Sequence, residues 1–147
     1  MRITELQHLL DQSAVHRVLR IRAEDALSES DAAEQVPAEM RFRCQPGPEH
    51  AAEDGAGVLH GGVIATLLDT AATFALIQAS GVDWATVDLR IDYLRPAPCA
   101  ELLVRGFAVH VGKRLGRATA ELSVPGGGIL ATAAGTFTRL QPFPERP

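Results

Sequence analysis

A chain of 147 residues, 46% of them hydrophobic and carrying a net charge of −4, fits one domain, and at this size roughly 70% of the unfolded surface is buried on folding without a disulfide or metal staple. Its 14 basic residues are dispersed and outnumbered by 18 acidic ones, which argues against a nucleic-acid partner held by phosphate neutralisation. The cysteines, Cys44 and Cys99, match no CxxC or Cys/His ligand spacing, so two reduced thiols and no metal site are expected.

The N-terminus lacks the apolar core of a signal peptide, and no run approaches the ~20 apolar residues that span a bilayer, so the expected location is the cytoplasm. In "ITELQHLLD" the residues Ile3, Leu6, Leu9 and Leu10 recur at helical spacing, which predicts a short amphipathic helix within residues 1–13. "HRVLRIRAED" sets Val18, Leu19 and Ile21 among arginines, and "AEMRFRCQ" alternates Met40, Phe42 and Cys44 with Glu39, Arg41 and Arg43. Both read as half-buried antiparallel strands, joined by the acidic "SESDAAEQ". "PGPEHAAEDGAG" is a loop by its prolines and glycines. A long helix follows, opening at "LHGG" with an apolar run over residues 63–77 and closed by Gly81. "ATVDLRIDYLRPAP" then alternates Val87, Leu89, Ile91 and Tyr93 with Thr86, Asp88, Arg90 and Asp92, the clearest strand in the chain. "ELLVRGFAVHVGKR", "GRATAELSV" and "ILATAAGTFTRL" predict three further strands with short turns. The tail, residues 141–147, is expected to be loose. The order predicts an α+β domain, a single antiparallel sheet covered by one main helix.

That helix carries the functional signal. From Val63 to Ile77 its apolar residues surround the whole circumference, which predicts burial on all sides. Its polar members, Thr66, Asp69, Thr70 and Thr73, fall into one stripe. Threonines in buried helices satisfy their hydroxyls on carbonyls one turn back. Asp69 has no such outlet, and an ionised carboxylate in apolar surroundings costs several kcal/mol unless paired or wet. Either a distant arginine such as Arg90 or Arg117 neutralises it, or it serves a solvated cleft. The helix opens with "LHGG", where Gly61 and Gly62 make either a tight loop-to-helix turn or, through the unsatisfied first N–H groups, a place for a negative oxygen. Gly61 and Asp69 stand eight residues apart, about 12 Å along a helix at ~1.5 Å per residue. One chain therefore cannot bring both to one atom, whereas two copies packed antiparallel about a two-fold axis can.

"GVLHGGVIATLLDTAATFAL" and "TVDLRIDYLRPA", with the strand-rich C-terminal half, resemble the hotdog-fold acyl-CoA thioesterases, specifically the branch of the phenylacetate-degradation (PaaI-like) thioesterases, over about residues 38 to 140. The resemblance implies a sheet wrapped around a long central helix, a homodimer that often pairs into a tetramer, and hydrolysis of an acyl-CoA without metal or cofactor, coenzyme A being part of the substrate. Carried onto this chain, it makes Gly61 the oxyanion donor and Asp69 of the other protomer the catalytic acid. It puts a hydroxyl near the water or acid at Thr86 and makes His60 the residue that positions the loop. It further suggests Gly62 as a substrate contact and Arg95, Lys113 and Arg114 as cations for the phosphates of coenzyme A. One position departs: where the branch commonly has asparagine, six residues before the histidine, this chain has Asp54. An ionised acid accepts but does not donate, and beside Asp69 it would raise the pKa of one of the pair. In a shifted loop Asp54 is simply solvated. Asp69 acts in this reading as general base or as nucleophile. A hotdog dehydratase is disfavoured because the "HFPG" type of segment is absent, and a non-catalytic acyl-CoA-binding module is the alternative.

Overall fold

A computed structural model describes residues 2–24 and 39–140. The acidic connection at 28–35 and the tail at 141–147 lie outside the described residues. Two short helices come first, α1 (Ile3–Gln12) and α2 (Ala14–Val18), followed by strands β1 (Arg22–Glu24) and β2 (Glu39–Cys44). A single 3-10 turn (Pro48–His50) leads into the long helix α3 (Gly61–Ser80), after which come β3 (Trp84–Tyr93), β4 (Leu102–Val111), β5 (Leu115–Ser123) and β6 (Ile129–Arg139). All pairings are antiparallel, in the order β1-β2-β4-β5-β6-β3, so β3 forms one edge of the six-stranded sheet.

The inner face explains how the helix gets so close. Along β4, β5 and β6 the buried positions are often small, among them Gly106, Ala118, Ala120 and Ala133, so the sheet curves around α3 instead of holding it off. At Gly106 the approach is closest: a Cβ there would lie 2.0 Å from the Ala71 carbonyl oxygen, so no other residue fits without moving the helix. By length and composition α3 is apolar enough to cross a membrane, contrary to the sequence expectation, and it is instead largely buried against the sheet. The outer face is charged and internally paired. Arg105 bonds Glu121 at 2.6 Å and stands 3.8 Å from Glu39, which also holds Arg41 at 2.8 Å.

Two expectations need correction. Residues 16–18, read as extended, belong to α2; the chain straightens only after Arg20, whose φ of 52° lets its neighbours Leu19 and Ile21 both turn into the core. The long helix begins at Gly61, within the "LHGG" expected to open it, and ends as expected with Gly81 in the left-handed conformation at φ 70°. It is not buried all round: Val63, Thr66, Asp69 and Thr73 are half-buried and Gly62 is exposed, so most of the polar stripe is open within one chain. Thr70 alone of the stripe is buried. As for the cysteines, Cys99 is half-buried, while Cys44 is sealed in the core and burial pushes its thiol pKa up to about 12.

Candidate active site

The carboxylate of Asp69 is half-buried on the middle of α3, and the Thr86 hydroxyl donates to its Oδ1 at 2.6 Å. Simple alternation would have pointed Thr86 and Leu89 to opposite faces. A bulge at Val87 changes the phase: Thr86 pairs with Phe137, Asp88 with Thr136 and Leu89 with Gly135. Phe137 and Gly135 are buried on the helix side, and directly opposed residues share a face, so Thr86 and Leu89 both look inward at α3. An inserted residue that re-aims a side chain is the usual work of a bulge beside a functional site. Neither arginine suggested as a counter-charge reaches Asp69: Arg90 pairs with Asp92 at 3.0 Å, and Arg117 is exposed on β5.

On the far side of Asp69 stands a residue the sequence did not single out. His16 of α2 puts Nε2 3.2 Å from the Thr70 hydroxyl and Nδ1 3.3 Å from the Leu10 carbonyl oxygen, with its ring edge-on to Phe74 at 6.0 Å. Burial lowers its pKa, opposed by the Leu10 carbonyl and by the charge of Asp69. Thr66 and Thr70 satisfy themselves as expected, donating to the carbonyls of Gly62 and Thr66 at 2.9 and 2.8 Å.

At the start of α3, His60 is the N-cap and its Nδ1 accepts the Gly62 N–H at 2.9 Å. The contact ties the ring to the first turn of α3 and removes Gly62 as a free donor. The N–H of Gly61, by contrast, has no hydrogen-bond partner among the described residues. Tyr93, which lies within "TVDLRIDYLRPA", anchors that residue from the end of β3: its hydroxyl donates to the Gly61 carbonyl at 3.0 Å. A Cβ on Gly61 would lie 3.6 Å from the Tyr93 ring, an ordinary contact, so none of the described residues requires glycine there.

The other predicted residues are not all gathered. The segment between residues 52 and 58 is pinned by the Ala52 N–H to the Val58 carbonyl at 2.8 Å, and Asp54 is exposed within it. Arg95 lies just beyond the Tyr93 end of β3, with its guanidinium over Gly128. Lys113 and Arg114 occupy the β4–β5 turn, where the Arg114 carbonyl accepts the N–H of Arg139 at 3.0 Å, the residue paired with Trp84 at the other end of β3. The ten residues of β3 thus separate Arg95 from Lys113 and Arg114, by about 30 Å at ~3.4 Å per residue.

A sheet curled around one long helix is the hotdog arrangement, and that helix carries an acid held by a hydroxyl and, at its start, an N–H without a partner among the described residues. The chain belongs to the thioesterase superfamily, which matches residues 56–131. A Halobacterium salinarum protein provisionally named an esterase is 33% identical over 81% of this chain and 74% of its own. Mouse acyl-coenzyme A thioesterase 13 is 33% identical over 54% of this chain, which spans 59% of that relative. Among solved structures, the Escherichia coli PaaI protein of the phenylacetic acid degradation operon superposes with a TM-score of 0.75 at 20% identity, over 94% of this chain and 92% of its own.

Proposed function

We propose that the protein is an acyl-CoA thioesterase of the PaaI-like branch, acting on a small acyl- or aryl-CoA in the cytoplasm, with each active site shared between two protomers. The observation that carries this reading is the division of labour along α3: a carboxylate oriented by Thr86 at its middle and the unclaimed Gly61 N–H at its start, about 12 Å apart by helical rise. Pairing two copies in antiparallel fashion supplies both to one carbonyl carbon. In support, the half-open polar stripe of α3 lies on a surface that such a partner would cover, and β3 is a long edge strand whose Val87 is 61% exposed, an edge that proteins generally protect by pairing.

In this reaction the thioester oxygen accepts the Gly61 N–H of one protomer, a donor worth roughly 2.7–4 kcal/mol when aimed at the developing oxyanion. On the partner, Asp69 either removes a proton from water as the water oxygen adds to the carbonyl, or adds to the carbonyl itself through a carboxylate oxygen. In the first course the tetrahedral adduct expels the CoA thiolate, which takes up the proton. In the second a mixed anhydride forms as the C–S bond breaks, and water then cleaves it. Thr86 donates to Oδ1 and leaves Oδ2 to the reaction in either case. Polarisation and proton transfer are both supplied by the protein, so the scheme uses no metal or cofactor. With antiparallel protomers, Arg95 beside one Gly61 and Lys113 and Arg114 of the partner border the same cleft, where the phosphates of coenzyme A would meet them; the dimers would pair further into tetramers.

Release of free CoA thiol from an acyl-CoA panel tests the reading. Wild-type protein should turn over, and Asp69→Asn should lose at least 10²-fold in kcat while remaining folded. Near-normal hydrolysis by Asp69→Asn would overturn the assignment. A second reading, a non-catalytic acyl-CoA-binding module, draws on Asp54 standing where an amide is usual; tight binding of acyl-CoA with no thiol release would favour it.

A further inference from the structure

A pocket of about 370 Å³ opens beside the start of α3, between that helix and α2. Its apolar walls are Val15, Val18, Leu19 and Val63, and it is bordered by His60 and His50. Val15 and Val18, 51% and 58% exposed, place apolar surface along the pocket's open side. No lysine, arginine or carboxylate lines the pocket among the described residues, and the Thr66 hydroxyl is already committed to the Gly62 carbonyl.

His50 is the exception in these walls. Its side chain is only 11% exposed, and its Nδ1 accepts the Gly47 N–H at 3.1 Å. A ring nitrogen that accepts an N–H carries no proton, so the neutral ring bears its hydrogen on Nε2. The Glu49 carboxylate is 3.6 Å from the same Nδ1, beyond hydrogen-bond length, and 58% exposed, so the backbone N–H decides the tautomer. Nε2 then has no partner among the described residues, nor is it one of the buried atoms sealed from access. A nearly buried side chain with a spare donor borders an apolar pocket. That pocket lies next to the Gly61 end of the site, since the His60 N–H donates to the His50 carbonyl at 2.9 Å.

We propose that His50 is a specificity-determining residue: its Nε2–H donates to an uncharged oxygen on the substrate's acyl group, which lies against Val15, Val18 and Val63. The inference rests on the thioesterase reading above and names the class of acyl group within it. The preferred substrates are apolar acyl or aryl groups bearing a hydroxyl, ketone or ether oxygen several bonds from the thioester carbon. A carboxylate-bearing tail is disfavoured because no cation lines the pocket to offset its desolvation.

Matched pairs of substrates test it: hexanoyl-CoA against 5-oxohexanoyl-CoA, and phenylacetyl-CoA against 4-hydroxyphenylacetyl-CoA. For wild-type protein kcat/KM should favour the oxygenated member of at least one pair by about five- to tenfold, the worth of one neutral hydrogen bond. Two variants divide the functions of the ring. His50→Asn keeps an acceptor for Gly47 but has no donor at the Nε2 position, and should bring the ratio to about one; His50→Gln keeps the far donor and should preserve a preference. The ratio is internal to each variant, so a general loss of rate does not mimic the result. A wild-type ratio near one in both pairs, or an unchanged ratio in His50→Asn, would overturn the proposal. Should folded wild-type protein hydrolyse none of the four, the thioesterase reading fails separately. The dissociation constants of the four corresponding non-hydrolysable thioethers, measured by calorimetry, then decide the role of His50 by the same ratio.

Discussion

The hydroxyl of Thr86 has a single proton, and at 2.6 Å it is spent on Asp69. A hydrogen bond to a charged group is worth about 1.5–3 kcal/mol, so Thr86→Val, which keeps the shape and removes the donor, should lower kcat about ten- to a hundredfold with little change in KM. Thr86→Ser should restore most of the rate. Steady-state kinetics on one acyl-CoA separates these outcomes, and a loss confined to KM would mean that Thr86 contacts substrate instead of orienting the acid. His16, behind Asp69, makes a different prediction. Burial holds its pKa below the ordinary 6.5, against the pull of the Leu10 carbonyl and Asp69. Below about pH 6.5 the unfolded chain therefore binds a proton that the folded chain refuses. This penalty is absent above pH 6.5 and grows as pH falls through the interval down to the folded pKa. Thermal unfolding between pH 7.5 and 5.5 should show Tm falling with acid, and His16→Gln should flatten that slope.

At the level of elements, α3 and β3 do most to build the site, and each does so through a local irregularity. Gly61 is the first helical residue, preceded by His60 at φ −61° and ψ 136°. Proline is at home at the first position of a helix, and the residue before it prefers such an extended conformation. Gly61→Pro thus deletes the N–H with little cost to the helix. It should reduce kcat by about 10²–10³-fold, the loss typical of a missing oxyanion donor. Gly61→Ala, whose Cβ meets only the Tyr93 ring at 3.6 Å within the chain, keeps the N–H and should retain far more activity than the proline variant. Equal activity in the two would remove Gly61 from the chemistry. This stretch was also the most legible in the sequence, because a carboxylate in an apolar helical run and a glycine pair at its head are each costly or permissive in ways composition reveals. The phase change in β3 was not legible: Thr86 and Leu89 follow an unbroken alternating pattern in sequence, and the bulge is set by pairing with β6, a contact from distant sequence. Val18, Leu19 and Ile21 looked like a strand for a related reason. Val18 is 58% exposed on α2, and the burial of Leu19 and Ile21 depends on the left-handed Arg20, which leaves no periodic trace. His50 gave no signal, and the place of Tyr93 in "TVDLRIDYLRPA" did not reveal its contact with Gly61, since each of these hydrogen bonds joins a side chain to a backbone group through loop or tertiary geometry.

For the whole molecule, the proposed dimer follows from a length. The free N–H and the carboxylate sit on one rigid helix and cannot converge on a carbonyl carbon without a second copy. The arrangement makes an arithmetic prediction that does not depend on the acyl group chosen. Asp69→Asn and Gly61→Pro chains, each inactive alone, should regain activity when unfolded together and refolded. In a mixed dimer one site receives the intact Asp69 of the Gly61→Pro chain and the intact Gly61 of the Asp69→Asn chain, while the other site receives both defects. Random pairing of equal amounts makes half of the dimers mixed, with one working site in two, so the mixture should reach about one quarter of wild-type activity. The measurement is CoA thiol release before and after co-refolding, with each variant refolded alone as control. Sites contained within single chains predict no gain on mixing, and a gain near one quarter requires that every working site draw on both protomers.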